Sequence, residues 1–119
     1  MTTNARREVF YAELYALLTA GLDFSHAFAL LIEGERDVRM KGLLKGLYDG
    51  VVGGSALWQA MERSGAFRPL DCGVVRIGEQ TGRLSETLEF LGGYYRKRTA
   101  QRRMVSSAVS YPLVILCTA

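Results

Sequence analysis

The stretch Gly78-Glu79-Gln80-Thr81-Gly82-Arg83-Leu84 separates two apolar runs that both keep helical spacing. A chain punctuated in this way folds as helices meeting at a short junction. Val74, Val75 and Ile77 lead into the junction, and Leu84, Leu88, Leu91 and Tyr95 lead out of it. Gly82 is placed to take the left-handed conformation past a helix C-terminus, which costs least without a Cβ. Ser85 can cap the following helix. Glu79 stands beside a glycine, next to a helix start whose free N–H groups attract a carboxylate. The expectation is that Glu79 accepts hydrogen bonds from backbone N–H groups near Leu84–Glu86. A solvated turn glutamate is the plain alternative, because a lone GExxG is a weak signal.

The same punctuation recurs upstream. A first helix is predicted from about Arg7 to Ala20, with Phe10, Leu14, Leu17, Leu18 and Gly21 on one stripe and Tyr11 and Tyr15 at the core edge. A second, about Ser25–Glu33, is capped by Asp23 or Ser25 and buries Ala27, Leu30 and Leu31. Its His26 has no partner Cys or His in sequence and reads as a surface or cap residue. The third, with Asp37 as candidate cap, aligns Met40, Leu43, Leu44, Leu47 and Val51. Gly42, Gly46 and Gly50 share another side of it, which suggests tight packing on a neighbour. Gly54 breaks the chain, and Ser55 is the expected cap of a fourth helix over 56–64. That helix buries Leu57 and Met61, with Trp58 a further candidate. Pro69 suits the first turn of a fifth helix, and the sixth follows the junction. Six helices with short connections predict an all-α antiparallel bundle, with Leu14, Leu17, Leu47, Leu57, Ile77, Leu88 and Leu91 buried.

Charge divides the chain unequally. Arg96, Lys97, Arg98, Arg102 and Arg103 form a basic collar with no acid among them, and the other ten basic residues face twelve acidic ones, a net of −2. That pattern disfavours a basic body wrapping nucleic acid, so no nucleic-acid partner is expected. Residues 104–119 carry no charge. They are too few for a full span of roughly 20 residues. The expectation is a transmembrane helix truncated at residue 119, with a buried terminal helix as the alternative. A basic cluster directly before a span marks the cytoplasmic side. The domain reading is therefore a disordered or appended lead over 1–7, a cytoplasmic bundle over 8–103, and the start of a membrane helix over 104–119.

Chemistry-bearing motifs are absent from the sequence: no phosphate loop, metal cluster or nucleophile–base pair. Cys72 and Cys117 have no metal-ligand spacing and read as free thiols. Glu33 with Glu35, or Glu86 with Glu89, read as solvated faces rather than a cation site. No catalytic, cofactor or metal residue is expected, and no enzyme. A helical nucleic-acid-binding domain and a small helical ligand-binding domain or enzyme remain the rival classes. An exposed apolar tail would also admit a homodimer.

Four segments in order carry a resemblance: Leu17-Leu18-Thr19-Ala20-Gly21-Leu22, Gly54-Ser55-Ala56-Leu57, Gly78-Glu79-Gln80-Thr81-Gly82-Arg83-Leu84, and Tyr111-Pro112 at the membrane entry. Together they resemble the type II secretion system F domain family, over about Val9 to Pro112. The resemblance implies the first cytoplasmic domain of an inner-membrane platform protein, of the kind used in type II secretion and type IV pilus assembly. It implies a non-enzymatic role, coupling a cytoplasmic assembly ATPase to the membrane through protein–protein contacts. Other platform proteins and pilin-like subunits are further implied partners. A second copy of the domain and further spans are usual in that family.

Overall fold

The computed structural model describes residues 4–99. They form six α-helices: α1 Asn4–Thr19, α2 Phe24–Gly34, α3 Val38–Val52, α4 Leu57–Ser64, α5 Pro69–Thr81 and α6 over residues 84–99. No strand occurs among the described residues. Each helix sends a large apolar side chain to the centre: Tyr11, Phe28, Leu47, Met61, Val75 and Leu91 are all 0% exposed. Neighbours in sequence pack on one another from α1 to α5. The sixth helix closes the bundle against α1 and α5, since a Cβ on Gly92 would lie 3.7 Å from the Ala12 nitrogen and from the Tyr11 Cβ.

Local chemistry sets most boundaries. Asp23 accepts a hydrogen bond from the His26 N–H at 2.9 Å, and Asp37 one from the Arg39 N–H at 3.1 Å, so both cap as expected. Pro69 starts α5, and Gly82 ends it at φ 72°. There the Arg83 N–H turns back to the Gly78 carbonyl at 2.8 Å, closing the last turn.

Several expectations are corrected. Residues 4–7 belong to α1 rather than to a disordered lead. Arg6 pairs with Asp37 at 2.7 Å and the Arg7 guanidinium lies 5.6 Å from the centre of the Tyr95 ring, which ties down the first turn. Tyr11 is central rather than at the core edge, while Leu17 is only partly buried. Leu30 is 48% exposed because α2 turns Ala27, Phe28 and Leu31 inward. Ile77 is 63% exposed, since α5 points Asp71, Cys72, Val75 and Gly78 to the core and Ile77 lies about 200° of helix rotation from Val75. Gly42 and Gly46 are exposed and face open space. Of the three α3 glycines only Gly50 meets a neighbour, with an added Cβ 3.0 Å from the Ala60 Cβ. Ala56, not Ser55, is the N-cap of α4, and Ser85 lies inside α6. Cys72 is a buried free thiol, and burial pushes its pKa up. Cys117, Arg102, Arg103, Tyr111, Pro112 and the whole of 104–119 lie outside the described residues. Within them, no helix is long and apolar enough to cross a membrane.

Candidate functional site at the helix junction

The junction after α5 is assembled from two of the sequence segments singled out above, separated by more than twenty positions. Ala56 precedes α4 and has no side chain able to accept a hydrogen bond, so the first turn of α4 lacks a cap of its own. Glu79 supplies it. Its Oε2 accepts from the Leu57 N–H at 3.0 Å and its Oε1 from the Trp58 N–H at 2.7 Å. A carboxylate placed there satisfies two of the four unpaired N–H groups and complements the positive end of the helix dipole. Gln59 completes the turn by accepting from the Ala56 N–H at 3.0 Å. Glu79 is thus a cap, but of α4 and not of α6 as expected. Its neighbour Gly78 faces α6, and one step of helix rotation carries Glu79 round to α4. Arg76 strengthens the same joint, its guanidinium 4.8 Å from the centre of the Trp58 ring.

Gly78 makes the close approach of α5 and α6. An added Cβ would sit 2.8 Å from the Thr87 Cβ and closer still to its Oγ1, which no real side chain tolerates. The two helices therefore touch at Gly78, one helical turn before Gly82. A shallow cleft of about 330 Å³ remains beside it, lined in part by Phe24, Glu79, Arg83, Ser85 and Glu86. Both Glu79 oxygens are engaged by backbone N–H groups. No group of three or more His, Cys, Asp or Glu able to hold a metal occurs among the described residues. The cleft is lined by a basic residue, Arg83, and an acidic one, Glu86.

A second polar group is not singled out by any sequence motif. Asp71 is 0% exposed, and its Oδ2 and Oδ1 accept from the Tyr11 and Tyr95 hydroxyls, each at 2.7 Å. One carboxylate therefore joins α1, α5 and α6. Burial, with Asp71 beside them, pushes the Tyr11 hydroxyl far up and the Tyr95 hydroxyl up to about 12. An acidic residue two positions after Pro69 looks like an ordinary first-turn acid. The available signal was its spacing with Val75 and Gly78, which puts it on the inward face. The Glu89 carboxylate on α6 pushes the pKa of the Tyr15 hydroxyl on α1 up.

The remaining candidates are dispersed. Leu57 is buried at the α4 start, while the Ser55 hydroxyl accepts from Arg63. Leu84 packs at the edge of the core. Arg96, Lys97 and Arg98 stand at the far end of α6, about 20 Å of helix from Leu84, and all three are exposed.

With this geometry in hand, comparison with known proteins gives a consistent answer. The model of the family described as type II secretion system (T2SS), protein F, matches residues 10–119. A type 4 fimbrial assembly protein PilC of Pseudomonas putida is 36% identical over 110 residues, which is 92% of this chain and 27% of that protein. A type II secretion system protein F of Xanthomonas campestris is 32% identical over 114 residues, 95% of this chain and 28% of that protein. A protein transport protein HofC homolog of Escherichia coli K12 is 37% identical over 111 residues, 90% of this chain and 27% of that protein. The chain thus spans about a quarter of the length of these relatives.

Proposed function

Because the chain belongs to the type II secretion system protein F family, we propose that it is the first cytoplasmic domain of an inner-membrane platform protein for type II secretion or type IV pilus assembly. It works without chemistry of its own. It receives the movements of a cytoplasmic assembly ATPase and passes them, through α6, into a membrane segment that begins near residue 104. Other platform proteins and pilin-like subunits lie further along that path.

The observation that supports this reading is the way α6 is fastened. Tyr95 is bonded to Asp71, Thr87 is pressed on Gly78, and Gly92 lies against α1. A helix held at three levels of a bundle moves with it as one body, and in sequence it carries the start of the basic collar and is followed by the uncharged run. A strut of this kind transmits displacement, whereas a loosely docked helix would absorb it.

The test is direct binding of the 119-residue chain to the assembly ATPase of its own secretion or pilus system, by titration calorimetry. Saturable binding that Arg83→Glu in the junction cleft weakens is the expected result. A folded chain that shows no heat at any accessible concentration overturns the ATPase-coupling role.

A further inference from the structure

We infer that the exposed end of α6 is a binding surface for anionic phospholipid headgroups, formed by Arg96, Lys97 and Arg98. The inference rests on the membrane reading above and adds to it a lipid class and the residues that select it. Three consecutive helical positions cover about 200° of the circumference. The opposite side is closed by Leu88, Leu91 and Tyr95, each 0% exposed. The three cations therefore occupy the whole solvent side of the helix at one level, as a half-ring rather than a stripe.

Their charge is not spent within the domain. Arg6 is paired with Asp37 and Arg76 is stacked on Trp58. By contrast, neither Arg96 nor Lys97 makes an ion pair among the described residues. The nearest acid on the same helix, Glu89, is seven residues back, about 10 Å along the axis. No acidic residue follows it anywhere in the chain. Arg98 donates to the Tyr94 hydroxyl at 2.8 Å and lies 5.5 Å from the centre of that ring, which holds its guanidinium in place without neutralising it. The sequence then adds Arg102 and Arg103 before the uncharged run. A protein of net −2 elsewhere, with its positive charge gathered where the chain turns apolar, is polarised toward a negative surface parallel to that end. Duplex nucleic acid offers the same phosphate chemistry, but the net −2 of the other segments disfavours a basic track along a duplex.

The full chain and its R96Q/K97Q/R98Q variant would be partitioned onto phosphatidylcholine vesicles and onto vesicles containing phosphatidylglycerol. Each basic residue at an anionic surface is worth about fivefold in partitioning, or about 1 kcal/mol. Wild-type chain should prefer the anionic vesicles, and the variant should lose up to about a hundredfold of that preference. Added salt should erode the wild-type preference, because exposed charges are screened within a Debye length of about 10 Å. An unchanged thermal melt of the variant shows that folding is not the cause. Equal wild-type partitioning onto both vesicles overturns the proposal, as does a variant that keeps the preference. So does a wild-type chain that ignores anionic lipid but binds short duplex DNA through the same three residues. Failure to enter phosphatidylcholine vesicles, with the anionic preference intact, counts against the membrane-segment reading and still supports the headgroup surface.

Discussion

The Tyr95 hydroxyl donates to Asp71 Oδ1 at 2.7 Å, with both residues 0% exposed to solvent. A buried carboxylate is costly unless its oxygens are bonded, and here Tyr11 takes the other oxygen, so the group is satisfied by two helices it does not belong to. The arrangement fixes the rotation of α6 about its axis, which burial of leucines alone would specify less sharply.

Loss of the carboxylate should therefore unlock α6. Asp71→Ala leaves two buried hydroxyls without acceptors and should cost about 2–5 kcal/mol in urea unfolding. Tyr95→Phe removes one bond to a charged acceptor and should cost about 1.5–3 kcal/mol. A variant at Asp71 with wild-type stability would show that the network is dispensable.

Gly78→Ala should be among the most damaging small substitutions, about 1–3 kcal/mol or more, because α5 and α6 must separate to admit the methyl group. Adding Thr87→Ala removes the closest atom, Oγ1, together with Cγ2, and should restore part of the loss. The Thr87 Cβ contact at 2.8 Å persists, so recovery is incomplete. A double-mutant cycle measures this coupling, and strict additivity would contradict the close approach.

For Glu79→Ala, the cap is lost from α4, a change of about 0.5–2 kcal/mol. Amide hydrogen exchange separates the helices: Leu57 and Trp58 should exchange faster, while the first turn of α6 should not. Faster exchange at the start of α6 alone would restore the sequence-based expectation.

Gly82 holds φ 72°, where a Cβ is strained although the space around it is open. Gly82→Ala should lower stability by about 1 kcal/mol through backbone strain. Gly82→Asn, which tolerates this conformation better, should lose less, and the order of the two melting temperatures is the readout.

Alkali should unfold the domain through its buried tyrosines. In the unfolded chain they ionise near their ordinary value of 10.0, whereas Tyr95 in the fold ionises at about 12 and Tyr11 higher still. Above pH 10 the folded state keeps protons that the unfolded state has lost. Stability conferred by this difference is full below pH 10 and is lost as pH rises through the folded values, with a slope of about 1.4 kcal/mol per pH unit for each tyrosine. Of the tyrosinate absorbance, the share of Tyr11 and Tyr95 should rise only together with the loss of helical circular dichroism. A domain that ionises all its tyrosines near pH 10 while staying helical would contradict the buried network.

The sequence by itself determined the helical class, the six segments, the caps at Asp23 and Asp37 and the left-handed Gly82, because each depends on residues within one or two turns. Its four ordered segments also pointed to the family that the comparisons identify. Only the tertiary structure decided what each helix faces. Glu79 reads locally as a cap for the next helix, yet the contact between Gly78 and Thr87 rotates it onto α4, where Leu57 lies twenty-two positions before it. Ile77 is as apolar as Val75, but the inward places on α5 are taken by Asp71, Val75 and Gly78, so Ile77 faces water. Asp71 looks like a first-turn acid until Tyr11 and Tyr95 converge on it from two other helices. Caps such as Asp23 and Asp37, made by the residue just ahead of its own helix, are local, so sequence spacing reveals them. Rotation of one helix against another is set by pairings across the core, which spacing along a single chain does not encode.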